Sequence, residues 1–299
     1  MFNNEAYDML VVGGSIAGCL TACAAAQAGL KVILVEPRTY LGREITATLR
    51  PWIDAGGWER ADREIREMLV GEKTVDVRRP GEEIPLQLAH IKKTLLRSLQ
   101  KAGVHILFMS GPAGALFAAG ELCGAVIGNK SGLQAIAART VVDATGNGAV
   151  ARLCGVGGAL SERLTVRRTI EFDSVAESVP ETIRLPSPIA EVDQLVLHRG
   201  SRGDGHRWAE FSFPVEVEEG SHLEKNRWEV IARQTTIRIC EYLKRREPGF
   251  ENATLIRASD ELWHAPLFAD FRPGPDNLFV LNTDRVLFER QDVDSFIAL

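Results

Sequence analysis

The sequence predicts an α/β fold: a parallel β-sheet with flanking helices, an antiparallel β-meander attached to it, and an inserted α+β domain. Three observations predict this. A strand–glycine turn–helix–strand unit fills the first forty residues. Three short apolar segments split by turn residues then lead into an apolar run ending at Asp143-Ala144-Thr145-Gly146. The second half alternates apolar and polar residues before a long amphipathic stretch.

Met9-Leu10-Val11-Val12 is a continuous apolar run, the pattern of a parallel strand buried on both faces. It stops at Gly13-Gly14-Ser15-Ile16-Ala17-Gly18, and an alanine-rich helix follows from Cys19 to Ala28, with Gly29 at its capping position. Lys31 to Val35 is the second buried strand and ends at Glu36. This is a Rossmann-like βαβ unit, and each part has a job in binding the ADP half of a dinucleotide. Gly13 permits the tight turn, and Gly18 lets helix and strand pack closely. The helix N-terminus offers N–H groups and partial positive charge to a diphosphate. Glu36, eighteen residues after Gly18, can accept ribose hydroxyls and would repel a 2′-phosphate. Ser15 replaces the middle glycine; it is small, and its hydroxyl can reach a phosphate. Gly13, Gly14, Ser15, Ile16, Ala17, Gly18 and Glu36, with the adjoining Pro37 and Arg38, are the candidate ADP-binding residues. The competing readings are a βαβ unit that binds nothing and an NAD site made of this unit alone.

Leu86 to Ala102 reads as an amphipathic helix, with Leu88, Ile91, Leu95, Leu96 and Leu99 on its apolar stripe. Gly103 ends it, and Val104 to Phe108 reads as a third parallel strand on which His105 is a packed residue. Ala113–Ala118, Leu122–Gly128 and Gly132–Ala138 follow, split by turn-like residues, as an antiparallel meander. Thr140 to Asp143 is a further strand that ends in a small-residue turn, with a helix from Ala149 to Leu153 behind it.

The stretch from Lys101 to Gly155 resembles the FAD-dependent oxidoreductases with a glutathione-reductase-type fold, and the resemblance extends over residues 5 to 155. It implies FAD as the cofactor, with Ala144, Thr145 and Gly146 lying against it. The loop after Glu36 is similar to the family's Leu-Gly-Gly stretch and reads Leu41-Gly42-Arg43 here. By this resemblance Thr46 and Ala47 approach the isoalloxazine. Arg43, in place of the second glycine, either pairs bidentately with a phosphate or is a surface arginine.

In the second half, Arg167–Phe172 and Trp208–Val217 read as strands with one wet face, separated by a Pro-, Gly- and charge-rich region from Pro180 to Gly205. Leu223 to Arg246 reads as a long helix with Trp228, Val230, Ile231, Ile237, Ile239 and Leu243 as core candidates, stopped by Pro248-Gly249. The expected organisation is a discontinuous FAD-binding domain, residues 1–155 and 251–299, around a substrate or cap domain, 156–250. Pro273 to Leu281 resembles the family's last strand. Asn282-Thr283-Asp284-Arg285 stands where the family has a glycine-containing turn, and Asp284 is the candidate for its ribitol or phosphate contact. The family's last helix is either absent or replaced by Val293 to Leu299.

The remaining features narrow the function. A net charge of -5 with only short basic clusters gives no nucleic-acid surface. Five cysteines without a metal-ligand set predict no disulfide framework and no metal, and Cys19 and Cys23 read as small buried residues. No Cys-x-x-Cys pair is present for disulfide reduction. No leader is visible, and the longest apolar stretch, Ile16 to Ala28, is too short to span a bilayer, so no membrane partner and a cytoplasmic location are expected. Among six histidines, His264 is the first to test for a catalytic role. The expectation is an FAD-dependent oxidoreductase passing hydride or electrons to or from a small organic substrate, acting as a homodimer or with a partner subunit if not alone. The alternative is a flavin-binding protein without turnover, or a degenerate subunit of a larger complex.

Overall fold

The computed structural model describes residues 6–54, 58, 63–70, 83–156, 158–160, 163–189, 191–216, 222–264, 268–271 and 274–281. The chain opens with β1 (Tyr7–Val12), α1 (Ile16–Gln27), β2 (Val32–Glu36), the single-turn α2 (Arg43–Thr46), β3 (Trp52–Asp54), α3 (Arg63–Val70), β4 (Glu83–Pro85), α4 (Leu88–Ala102) and β5 (His105–Phe108). The meander is β6 (Gly111–Ala118), β7 (Glu121–Asn129) and β8 (Gly132–Asp143), followed by α5 (Ala149–Leu153). The second half contains β9 (Gly158–Leu160), β10 (Arg163–Asp173), β11 (Thr182–Ile189), β12 (Val192–Arg199), β13 (Arg207–Glu216), α6 (His222–Arg246), β14 (Thr254–Ala258), β15 (Trp263–His264), β16 (Phe268–Phe271) and β17 (Leu278–Val280).

The first sheet runs β5-β2-β1-β8-β7-β6, with β17 also on β8. β5, β2, β1, β8 and β17 pair in parallel, and β6–β7–β8 pair antiparallel. β8 is one strand with three partners: Gly132–Ala137 pairs with β7, Ala138–Asp143 with β1 and Val141–Asp143 with β17. The sequence divides it into two strands. The parallel core is buried on both faces, as its unbroken apolar runs require. Met9 and Val11 of β1 face the core under α1 and α4, while Leu10 and Val12 face the meander and α5. The α4 stripe is Leu88, Ile91, Leu95 and Leu99, all buried, with Leu96 half-buried. His105 is exposed on the edge strand β5, where its Nδ1 lies 2.9 Å from the Tyr7 hydroxyl, so it is not a packed core residue.

The second sheet has six strands in the order β11-β12-β13-β10-β14, with β15 also on β10. Its core includes Ile170, Phe211 and Phe213 of the sheet and Trp228, Ala232, Ile239 and Leu243 of α6. Three expectations change here. The 180–205 region holds a β-hairpin, β11–β12. Val230 and Ile237 of α6 are 47% and 62% exposed, on the face turned from the sheet. Residues 254–264 join this sheet through their pairing with β10. Trp208 of β13 is packed in the core of the first sheet, and so couples the two.

Candidate cofactor site

The site begins where β1 and β8 end side by side. Gly13 donates its N–H to Val35 O at 2.8 Å, and Ala144 donates to Val12 O at 2.8 Å, so the two turns stack. Gly13 has φ +109, and a Cβ there would lie 2.3 Å from Ala144 O. A Cβ on Gly18 would lie 2.2 Å from Gly13 O. Only glycine fits either place, which is why the turn holds the N-terminus of α1 so close to the strand ends.

Ser15 is the N-cap of α1, its Oγ accepting the Gly18 N–H at 3.0 Å. That is a helix-capping role, and the hydroxyl proton stays free to donate elsewhere. Ile16 and Ala17 are buried in the first turn. Glu36 is buried and orders the loop around it. Its Oε2 accepts the Gly14 N–H at 2.6 Å, and its Oε1 accepts the Arg38 N–H at 2.8 Å and Arg38 Nη1 at 2.9 Å. The turn after β8 is organised by Asp143, whose Oδ1 accepts the Thr145 N–H at 3.1 Å and hydroxyl at 2.6 Å. Its Oδ2 accepts the Val150 and Ala151 N–H groups at 2.8 and 3.0 Å, capping α5.

These turns line a cavity of about 570 Å³. Gly13, Ser15, Glu36, Pro37, Arg38, Arg43, Ala144, Thr145 and Gly146 lie on its wall, as does His264 at the end made by the second sheet. Thr46 and Ala47 do not: both are buried. The Thr46 hydroxyl lies 2.8 Å from the carbonyls of Leu41 and Gly42, and the Ala47 carbonyl accepts the Asp260 N–H at 2.9 Å. The α2 turn directs them inward. Asp284 lies outside the described residues.

The opposite wall is made of side chains from distant parts of the chain. Glu261 bridges two arginines, Arg38 through Nε and Nη2 and Arg43 through Nε at 2.7 Å. Burial works against its charge, but the hydrogen bond from Arg38 and the charges of Arg43 and Arg38 outweigh it, holding the carboxyl below its usual range. Arg43 Nη2 also donates to Leu262 O at 3.3 Å. Glu229 of α6 accepts the Leu262 N–H at 2.8 Å and anchors that segment. Trp263 lines the cavity and backs onto the guanidiniums of Arg50 and Arg167, 4.5 and 4.9 Å from its ring centre. Both arginines pair with Glu210, at 2.7 and 3.3 Å. Arg50 follows Leu49, a non-glycine residue at φ 51. Beyond Arg50, Trp52 stacks on His198 with ring centres 3.8 Å apart, and His198 Nδ1 lies 2.7 Å from Glu83.

Glu44, on α2, also lines the cavity. Its Oε1 accepts the Ile16 N–H at 2.5 Å, and its Oε2 is sealed from solvent with no hydrogen-bond partner. The sequence gives no warning of this, because Glu44 belongs to no motif. Glu229, Glu261 and Leu262 belong to no local motif either. Among the described residues, no cluster of His, Cys, Asp and Glu could hold a metal ion.

The glycine cradle, the α1 terminus behind it and the acid at the end of β2 fit the ADP half of FAD. A family profile described as FAD dependent oxidoreductase matches residues 8–264. The chain belongs to this family. FAD is its cofactor, and the resemblance to FAD-dependent oxidoreductases read from Lys101 to Gly155 holds at the level of that family. Solved structures share the fold. A geranylgeranyl bacteriochlorophyll reductase-like protein from Thermoplasma acidophilum is 19% identical with a TM-score of 0.64, covering 94% of this chain and 72% of that one. A myxobacterial chondrochloren halogenase, a FAD-dependent halogenase, is 16% identical with a TM-score of 0.55, over 98% of this chain and 71% of that one. Aklavinone-11 hydroxylase, solved with FAD and aklavinone, is 18% identical with a TM-score of 0.58, over 94% of this chain and 58% of that one. No curated protein matches the chain in sequence. Among the described residues, no helix is long and apolar enough to cross a membrane.

Proposed function

We propose that this FAD-dependent oxidoreductase holds FAD in the cavity and acts on a small organic substrate presented by the second sheet beside Trp263 and His264. One observation carries the reading: the cavity is continuous from the Gly13 and Ala144 turns to Trp263 and His264. When bound, FAD supplies the hydride or electron transfer; the protein supplies position and electrostatics. Gly13 and Gly18 admit the diphosphate to the α1 terminus. Glu36 accepts the ribose hydroxyls and disfavours a 2′-phosphate. Arg38 and Arg43, held by Glu261, cover the negatively charged cofactor. His264 is the side chain placed to exchange a proton with the substrate.

The first sheet is the FAD-binding part and the second the substrate part, which runs past residue 250 through β14 and β15. The protein works in the cytoplasm, alone, as a homodimer or with a partner subunit. The test is the absorption spectrum of purified protein after reconstitution with FAD, followed by anaerobic flavin reduction with a panel of small donors. A flavin band that one class of donor bleaches, with bleaching slowed at least tenfold in His264→Asn, supports the proposal. A protein that stays colourless overturns the cofactor assignment. A bound flavin that no donor reduces and no acceptor reoxidises overturns the substrate reading.

A further inference from the structure

Glu44 is an ionisable group on the wall of the cavity assigned to the cofactor. Its Oε1 holds the Ile16 N–H, the first free amide of α1, at 2.5 Å. Helix N-terminal amides of this kind bind phosphate oxygens. The second oxygen, Oε2, is sealed from solvent and unpartnered behind the cavity wall that Glu44 helps to line. An ionised carboxylate so placed repels a diphosphate, while a neutral carboxyl does not.

We propose that Glu44 enters the FAD complex as the neutral acid, so that cofactor binding takes up one proton at this side chain. The surroundings favour this. Burial pushes the carboxyl up to about 7, against the hydrogen bonds from its own and the Ile16 amides and the charge of Arg43, with Glu36 adding to the rise. From α1 it is faced by the Cys19 thiol, which burial and the Glu44 charge push up, so it stays neutral. Behind α2, the α4 residues Ile91 and Leu95 are apolar where they meet Gly42. Arg43 is the positive neighbour on its own helix, and Glu261 already engages it. Bringing two phosphate charges to this terminus raises the carboxyl further. The FAD diphosphate itself has no proton to titrate near neutrality, so a proton taken up there reports the protein.

The rest of the cofactor assignment is assumed here, and the test separates the two. FAD binding to the full chain is measured by titration calorimetry from pH 6 to 9, in buffers of differing ionisation heat. Wild type should take up about one proton per FAD at pH 8 and less at pH 6, with Kd weakening about tenfold per pH unit above pH 7. Glu44→Gln keeps an acceptor for Ile16 and is neutral at every pH. It should bind with a flat pH profile, tighter than wild type at pH 9. Tight wild-type binding with no proton uptake overturns the role of Glu44 alone, whatever the variant does. A Glu44→Gln profile as steep as wild type overturns it also. Absence of FAD binding at every pH overturns the cofactor site itself.

Discussion

The two walls of the cavity are built differently. On one side the chain uses its backbone: two glycines that tolerate no Cβ, a helix terminus, and a turn pinned by a single aspartate. On the other it uses side chains: Glu261 between Arg38 and Arg43, and Trp263 backed by Arg50 and Arg167. A backbone wall is rigid and fails all at once. A side-chain wall is held by several partly exposed ion pairs and fails by degrees.

That contrast sets the scale of the expected effects. Gly13→Ala forces a Cβ against Ala144 O at a positive φ, so we expect a loss of more than about 3 kcal/mol, or no folded protein. Denaturant unfolding and flavin content both read this, and a variant within 1 kcal/mol of wild type would refute the backbone account. Asp143→Asn turns an amide NH₂ toward donors that need an acceptor, and should cost about 1–3 kcal/mol with α5 frayed. Hydrogen exchange at Val150 and Ala151 locates that loss. Glu261→Gln weakens two charge-assisted contacts on a surface about a quarter exposed, so about 1 kcal/mol is expected. Its folded carboxyl is depressed, so its stabilisation is present above the ordinary carboxylate range and disappears as pH falls through the depressed value. The difference between wild type and Glu261→Gln should hold from pH 6 to 8 and close in acid. A difference that grows in acid would show the sign to be wrong.

The same contrast explains what could be read in advance. The parallel strands are buried on both faces, so their apolar runs stand out, and the glycine turns mark where they end. The meander was legible for the same reason, through its turns. The β11–β12 hairpin was not, because β11 contains Pro186 and Pro188, residues that read as strand breakers. β11 is an edge strand, where proline leaves no inner ladder bond unmade. Val230 and Ile237 fit the helical stripe by spacing, yet α6 packs along one narrow face only. Thr46 and Ala47 were placed by resemblance, and the α2 turn carries them inward. The side-chain wall was invisible because Arg38 and Glu261 are 223 residues apart. Only folding makes them neighbours.

One continuous strand then links construction to function. Because β8 begins in the β7 hairpin and ends at Asp143, the hairpin sets the register of the turn that follows. Side chains alternate along a strand, so slipping that hairpin by one residue would turn Asp143 away from α5 and toward the opposite face. The meander therefore works as a ruler: its turn at Asn129–Gly132 measures off, at a distance, where the cavity begins.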